Sequence, residues 1–173
     1  MARERAALPK TKSRIKAVAL TAMTAAAYTV GVVALAPISF YIYQVRVADA
    51  LLALSTIMGL PVIAGTAIGC AIANLYGGYG IVDIVGGSLA NLIATAVGFL
   101  IARRKFRGSL IVALLAETLI VSAIVGGYLA VLFNVPLEIG FLGILVGSLI
   151  SINLLGYGLV KVLKRVGHTF KTV

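Results

Sequence analysis

The sequence lacks most of the side chains that enzymes use for metal binding and covalent chemistry. Its 173 residues include no tryptophan, one cysteine (Cys70), one histidine (His168) and five acidic residues. One cysteine excludes an internal disulfide, and a single histidine argues against an imidazole metal site or a Ser-His-Asp enzyme. A Walker A motif is missing too, so we do not expect the chain to hydrolyse ATP. The sequence predicts a protein that is not an enzyme, with no catalytic residue, metal or cofactor.

Charge is scarce, whereas apolar side chains are abundant. The chain is 61% hydrophobic and 12% charged, and its mean hydropathy is +1.12. A soluble domain of this length could not keep so much apolar surface away from water. The composition therefore predicts an all-α integral membrane protein, since helices satisfy their own backbone hydrogen bonds in lipid.

The apolar part of the sequence divides into about six segments that could cross a bilayer, and crossing takes roughly 20 residues per helix. Pro37, Pro61 and Pro136 mark three of the boundaries, because proline cannot continue a helix. The predicted spans are 15–36, 46–59, 61–76, 81–102, 109–133 and 138–163, of which the second and third are short. We expect one compact bundle over residues 15–163, with basic tails at 1–14 and 164–173.

Fourteen of the basic residues form three blocks at segment ends. A net charge of +10 would suggest nucleic acid in a soluble protein, but blocks at segment ends are typical of membrane orientation. With six spans, all three blocks lie on one side, which the positive-inside rule assigns to the cytoplasm. We therefore expect a multi-pass protein of the cell membrane with both termini inside and no nucleic-acid partner. The blocks are Arg3, Arg5, Lys10, Lys12, Arg14 and Lys16; Arg103, Arg104, Lys105 and Arg107; and Lys161, Lys164, Arg165 and Lys171.

A few polar residues interrupt the apolar segments. Arg46 and Asp49 are three residues apart, which permits a structural i,i+3 pair, and Glu117 lies about a third of the way into the fifth span. An ionisable group at that depth usually faces a cavity or a partner. Several polar residues fall on the outer side, as a small-molecule pocket requires: Gln44, Arg46, Asp49, Asn74, Asp83 and Asn91. Both interpretations of Arg46 and Asp49, a structural pair and a binding site, remain open at this stage.

The segments "FYIYQVRVADALLAL" and "GTAIGCAIANLYGGYGIVDIVGGSLANLIA" resemble the queuosine-precursor transporter (QueT) family, whose members are substrate-binding S components of energy-coupling factor (ECF) transporters. That family typically has Q-x-R-V-x-E-A-L, I-A-N-L and D-x-x-x-G-S-L-A. The resemblance covers residues 36–98 most closely. Two positions depart from the pattern, since Asp49 stands where the family has Glu and Ser148 follows Gly147 where a Glu is expected. The residues that match are Gln44, Arg46, Val47, Ala50 and Leu51, then Ile72 to Leu75, then Asp83, Gly87, Ser88, Leu89 and Ala90.

The resemblance implies a substrate-capture subunit for a 7-deazaguanine precursor of queuosine or archaeosine, such as preQ1, preQ0 or queuine. A carboxylate can accept hydrogen bonds from N1–H and the amino group of such a base. We expect Asp83 in this role, with Asp49 second because Arg46 already pairs it, and Glu117 as a further acid. Asn74 or Asn91 would fix the opposite side of the base, and Tyr76 or Tyr79 would stack on it.

The resemblance also implies partners. S components join a membrane coupling subunit and two ATPase subunits that power release. Ala22 and Ala26 have small-xxx-small spacing, and the resemblance assigns them to the coupling-subunit interface. Two alternatives remain: an S component for another vitamin-like nutrient, or a structural membrane subunit whose buried charges only hold helices together.

The topology is directly testable. Reporter fusions should place both termini and Lys105 in the cytoplasm, because positive blocks are retained there, and should place residues 40, 78 and 135 outside. A cytoplasmic signal from a fusion at residue 78 would contradict the six-span arrangement.

Overall fold

The computed structural model describes residues 10–169, and the all-α architecture is confirmed: this range contains helices and no strand. The elements in chain order are α1 (Lys10–Ala34), α2 (Ala36–Ser39), a 3₁₀ segment (Val47–Leu54), α3 (Ser55–Met58), α4 (Leu60–Gly77), α5 (Ile81–Arg103), α6 (Ser109–Leu132), α7 (Leu137–Ser148), a π segment (Leu149–Gly156) and α8 (Tyr157–Thr169). The ends of both predicted basic tails lie outside the described residues.

Within the described range, five helices are long and apolar enough to cross a membrane. The last of them is continuous from α7 through the π segment into α8. The five ranges are Arg14–Ala34, Leu60–Gly77, Ile81–Arg103, Ser109–Leu132 and Leu137–Val166. They match five of the six predicted segments. Large apolar side chains such as Val18, Leu75 and Val131 are exposed on their outer faces, as contact with lipid requires.

Proline and glycine set the helix boundaries as expected. Pro61 lies in the first turn of α4, and Pro136 precedes α7, where a missing backbone N–H costs nothing. Gly78 closes α4 in the left-handed conformation with φ of 75°, which glycine adopts without strain. The chain therefore reverses between α4 and α5 within three residues.

Helices α1 and α4 run parallel to each other. A β-carbon on Gly65 would touch Thr24, and one on Gly69 would touch Tyr28, so moving one turn along α4 means moving one turn in the same direction along α1. These glycines let the two backbones approach closely. Because both long helices point the same way, the chain between them must return across the bundle.

The later long helices alternate in direction. The contacts that establish this are Asn74–Gly87 and Thr66–Asn91 for α4 and α5, Gly86–Tyr128 and Gly98–Glu117 for α5 and α6, and Gly126–Gly140 and Thr118–Asn153 for α6 and the last helix. The start of α1, the connection 104–108 and the end of α8 thus share one end of the bundle, called here the basic end. The connections 78–80 and 133–136 lie at the other, called the loop end.

Residues 40–58, called here the crossing segment, make the return. Ile42 and Gln44 lie against Gly143 and Gly147, and Ala53 lies against Gly156, so the segment runs alongside the last helix in the same direction. The distance from Gly143 to Gly156 along a helix is about 20 Å. The segment therefore covers much of the bundle's depth.

The crossing segment differs from the helix predicted at 46–59. It is irregular at first and becomes helical only over Val47–Met58, which is shorter than the five long helices, and most of that helix is 3₁₀. Irregular backbone is tolerated at membrane depth where protein surrounds it. Leu52 and Ala53 are fully buried here. The count of six spanning helices stays a prediction, with five long helices and one short crossing segment observed.

Adjacent glycines of α6 provide a matched test of this packing. A β-carbon on Gly126 would collide with the backbone of Gly140 and Phe141, whereas one on Gly127 would meet nothing. Gly126→Ala should lower the free energy of unfolding by about 1–3 kcal/mol. Gly127→Ala should leave it unchanged or raise it by up to about 1 kcal/mol through helix propensity. Unfolding in detergent measures both variants, and equal losses would contradict the α6–α7 contact.

Candidate ligand-binding site

A small polar cavity lies between the crossing segment, α5, α6 and α7. It has room for about one water molecule, roughly 10 Å³. Polar side chains form one part of its wall and aliphatic side chains the other. The lining residues are Gln44, Arg46, Asp49, Asn91, Val121, Val125, Ile144 and Ser148.

Asp49 is held at the cavity wall by a tyrosine of α1. The Tyr28 hydroxyl donates a 2.5 Å hydrogen bond to Asp49 Oδ1, and both side chains are buried. Asp49 lies in the first turn of the 3₁₀ segment, and from there its side chain reaches both Tyr28 and the cavity. A hydroxyl–carboxylate bond is strong in a low-dielectric interior. Asp49 is thus positioned by a residue 21 positions earlier in the chain.

Arg46 is bound by several acceptors around the same cavity. Its Nε donates to Ser39 O at 3.4 Å, its Nη2 to Gln44 Oε1 at 3.3 Å and its Nη1 to Cys70 Sγ at 3.6 Å. The guanidinium also lies over the Phe40 ring, 5.6 Å from its centroid. The sequence suggested an Arg46–Asp49 pair; the hydrogen bonds described here connect each of them to other residues.

Asn91 and Ser148 complete the polar part of the wall. Asn91 donates from Nδ2 to Thr66 O of α4 at 3.4 Å, which orients its amide. Ser148 ends α7, directly before the π segment, and is buried. It occupies the position where the resemblance leads one to expect Glu. The substitution therefore changes a residue of the cavity wall.

A second polar group surrounds Asp83 at the start of α5. Tyr128 of α6 donates a 2.7 Å hydrogen bond to Asp83 Oδ1, and Asn74 Nδ2 donates to the Asp83 backbone carbonyl at 2.7 Å. Asp83 Oδ2 and Asn74 Oδ1 are buried and have no hydrogen-bond partner within the described part of the chain. Both residues are thus buried and near the site, but neither lines the cavity.

The remaining predicted site residues are placed elsewhere. Tyr76 is 64% exposed on the outer face of α4. Tyr79 packs edge-on against Phe40 and Phe133, with ring centroids 6.2 and 5.3 Å away. Glu117 is fully buried on α6, one turn closer to the basic end than Val121. Four of the nine predicted residues line the cavity, namely Gln44, Arg46, Asp49 and Asn91.

Sequence reasoning did not propose Tyr28 or Tyr128 for the site, and it noted Ser148 only as a departure from the family pattern. Both tyrosines lie within the last two turns of their helices, α1 and α6, near the ends where membrane tyrosines are most common. A buried tyrosine usually gives its hydroxyl a hydrogen-bond partner, but the sequence alone does not show that these two tyrosines are buried. Within the part of the chain that the structure describes, no three His, Cys, Asp or Glu side chains are grouped as a metal site would require.

The fold and the cavity together define a multi-pass helical membrane protein with a buried polar site. The family model described as "QueT transporter" matches residues 18–165. The chain therefore belongs to the QueT transporter family, and transport across a membrane is the activity of that family. No curated protein and no solved structure gives a significant match.

Proposed function

We propose that the protein is the substrate-capture S subunit of an ECF importer and binds a 7-deazaguanine in the cavity beside Asp49. The observation that carries this proposal is the composition of the wall. A carboxylate, a guanidinium and two amides face the cavity together with Val121, Val125 and Ile144. Apolar faces with a few convergent polar groups suit a flat ring that has hydrogen-bonding edges.

Asp49 is the acid best placed to recognise the base. Its Oδ1 already accepts from Tyr28, and a carboxylate has further acceptor positions for N1–H and the amino group of a guanine edge. Arg46 can donate to the ligand's carbonyl oxygen, because each of its terminal nitrogens carries two N–H groups. Asn91 and Gln44 offer both donors and acceptors. Asp83 was the first choice from the sequence, but Asp49 is the acid on the wall.

Entry of the ligand requires the loop end to open. A bicyclic base is far larger than one water molecule, so the cavity described here corresponds to a closed form. Phe40, Tyr79 and Phe133 come from three different connections at the loop end and pack against one another. Phe40 also contacts Arg46 of the wall. Movement of residues 40–46 would therefore separate this aromatic cap and widen the cavity.

The arrangement of basic residues supports an outward-facing loop end. The basic end carries Arg14, Lys16, the 103–107 block and the lysines of α8, and the positive-inside rule favours the cytoplasm for such an end. We infer that both termini are cytoplasmic and that ligand enters from outside.

Helix α1 offers a surface for the membrane coupling subunit. It is the least buried of the five long helices: 22% of its most apolar 18-residue stretch is buried, against 44% of the corresponding stretch of α4. Ala22 and Ala26 are exposed on it. An apolar groove of about 660 Å³ runs between α1 and α4, lined by Ala17, Val18, Thr21, Ala22, Ala25, Leu60, Pro61, Ala64 and Ile68. Small residues let another helix approach closely, and the two ATPase subunits would attach through that partner.

Ligand binding tests the recognition step. Asp49→Asn keeps an acceptor for Tyr28 but loses the charge, so it should weaken binding by roughly 1.5–3 kcal/mol. Asp83→Asn is the matched control and should change affinity less. Calorimetry on purified protein should detect preQ1, preQ0, queuine or guanine and not adenine, which lacks the N1–H and amino pair.

The outcomes separate the alternatives. A larger loss in Asp83→Asn than in Asp49→Asn would contradict Asp49 as the recognising acid. Unchanged affinity in both variants and in Glu117→Gln would exclude carboxylate recognition altogether. Binding of an unrelated nutrient would indicate a different S component, and no binding of any ligand would favour a structural subunit.

Assembly tests the partner. Ala22→Trp or Ala26→Trp should abolish co-purification with an ECF coupling module, because a large ring prevents close helix approach. Ala27→Trp is the matched control, since Ala27 is also exposed but lies about 140° around the helix from Ala22. Equal loss in all three variants would point to misfolding and contradict a specific interface.

A further inference from the structure

Glu117 is a buried acid without a charged partner among its described contacts. Its side chain is 0% exposed, Oε1 accepts a 2.9 Å hydrogen bond from Ser55 Oγ, and Oε2 has no hydrogen-bond partner among residues 10–169. On α5, a β-carbon at Gly98 would collide with the carboxyl group. The bundle thus makes room for this carboxyl group and supplies one neutral donor to it.

The charged groups on the surrounding elements are engaged elsewhere or lie near the ends of the bundle. Helix α6 carries no other charge. On α5, Asp83 accepts from Tyr128, and Arg103 lies over the Phe99 ring at the basic end. On the crossing segment, Asp49 accepts from Tyr28, and Arg46 donates to Ser39, Gln44 and Cys70. The charged residues of the last helix are Glu138 in its first turn and Lys161, Lys164 and Arg165 near its end.

An unpaired carboxylate at this position would be costly, whereas the neutral acid would not. Glu117 lies eight residues from the start of α6, about 12 Å along the axis. An isolated ionised carboxyl group in such a medium costs several kcal/mol or takes up a proton instead. We propose that Glu117 is a proton-binding site, neutral in the closed protein, whose ionisation destabilises the packing of α5 and α6 against the crossing segment.

The position of Ser55 gives the proton a consequence for the cavity. Ser55 follows the 3₁₀ segment directly, and that segment carries Asp49 near its other end. An ionised Glu117 would accept more strongly from Ser55, but its buried charge would favour entry of water beside Ser55, at the basic end of the crossing segment that supplies Gln44, Arg46 and Asp49 to the wall. This link to ligand release rests on the proposed function; the proton site itself does not.

Stability as a function of pH tests the site without any ligand. If the folded protein favours the neutral acid, it binds a proton that the unfolded chain releases, so stability must fall as pH rises. Glu117→Gln imitates the neutral acid and its amide oxygen can still accept from Ser55. Between mildly acidic and mildly alkaline pH, the melting temperature of the wild type should fall relative to Glu117→Gln by about 5 °C. Other groups titrate in both proteins and cancel in the difference.

Ser55→Ala is the second variant, because it removes the hydrogen bond and keeps the acid. It should retain the pH dependence that Glu117→Gln loses. Equal pH dependence in the wild type and Glu117→Gln would overturn the proposal. The proposal would also be overturned if sodium at constant pH stabilised the wild type and Ser55→Ala but not Glu117→Gln. That result would indicate a cation site instead.

A direct measurement keeps the proposal testable if Glu117→Gln does not fold. The chain has three glutamates, Glu4, Glu117 and Glu138. Carboxyl-labelled glutamate in the wild type should give an infrared C=O band of a protonated acid at neutral pH, and that band should persist in Ser55→Ala. A spectrum with ionised carboxylates alone at neutral pH would show that Glu117 holds no proton.

Discussion

The crossing segment depends on burial of most of its length by the rest of the bundle. A backbone that is irregular and then 3₁₀ cannot face lipid along its whole length, since its polar groups would lack partners there. Three glycines of the last helix, Gly143, Gly147 and Gly156, let the segment lie directly against the helix backbone. The parallel α1 and α4 make the segment necessary, because the chain must return between them. The rest of the bundle is arranged around this return.

Enclosure also explains how polar groups are placed at the centre of an apolar bundle. In a regular helix, Arg46 and Asp49 would be neighbours on one face, and their side chains could pair with each other. In the observed segment the backbone changes from irregular to 3₁₀ just after Arg46, and the two side chains find separate partners. Both therefore face a shared cavity, with acceptor and donor capacity that is available to a ligand.

The sequence predicted the five long helices well, because each is a long apolar run bounded by proline, glycine or charge. It did not predict the geometry of residues 40–58. An apolar stretch such as "VADALLALSTIM" reads the same whether its helix is α or 3₁₀, and local periodicity does not report what surrounds it. The close contacts at Gly143 and Gly147 that make the irregular path possible come from about 100 residues further along the chain.

The sequence could group the site residues that one short segment supplies. It could not show which residues of a long helix face the site, because that depends on how the helix is rotated about its axis. Gln44, Arg46 and Asp49 belong to one segment, so their grouping followed from the sequence. Tyr76 and Asn74 are two residues apart on α4, yet one faces outward and the other is fully buried. That difference depends on how α4 packs against its neighbours, which no local pattern contains.

Two buried acids, one on the crossing segment and one beside it, give the fold a means of connecting its two ends. Asp49 belongs to the segment and accepts from Tyr28 of α1, and Glu117 of α6 contacts the segment through Ser55. Six residues of 3₁₀ geometry separate Asp49 from Ser55, which corresponds to about 12 Å. The helix between them is short and mostly buried, with Leu51 partly exposed, and it links the two acids along the chain. A partner bound to α1, as proposed, would be linked to the same acid, because Tyr28 of α1 is the residue that holds Asp49. A change in the tilt of α1 would thus reach the cavity wall through one hydrogen bond.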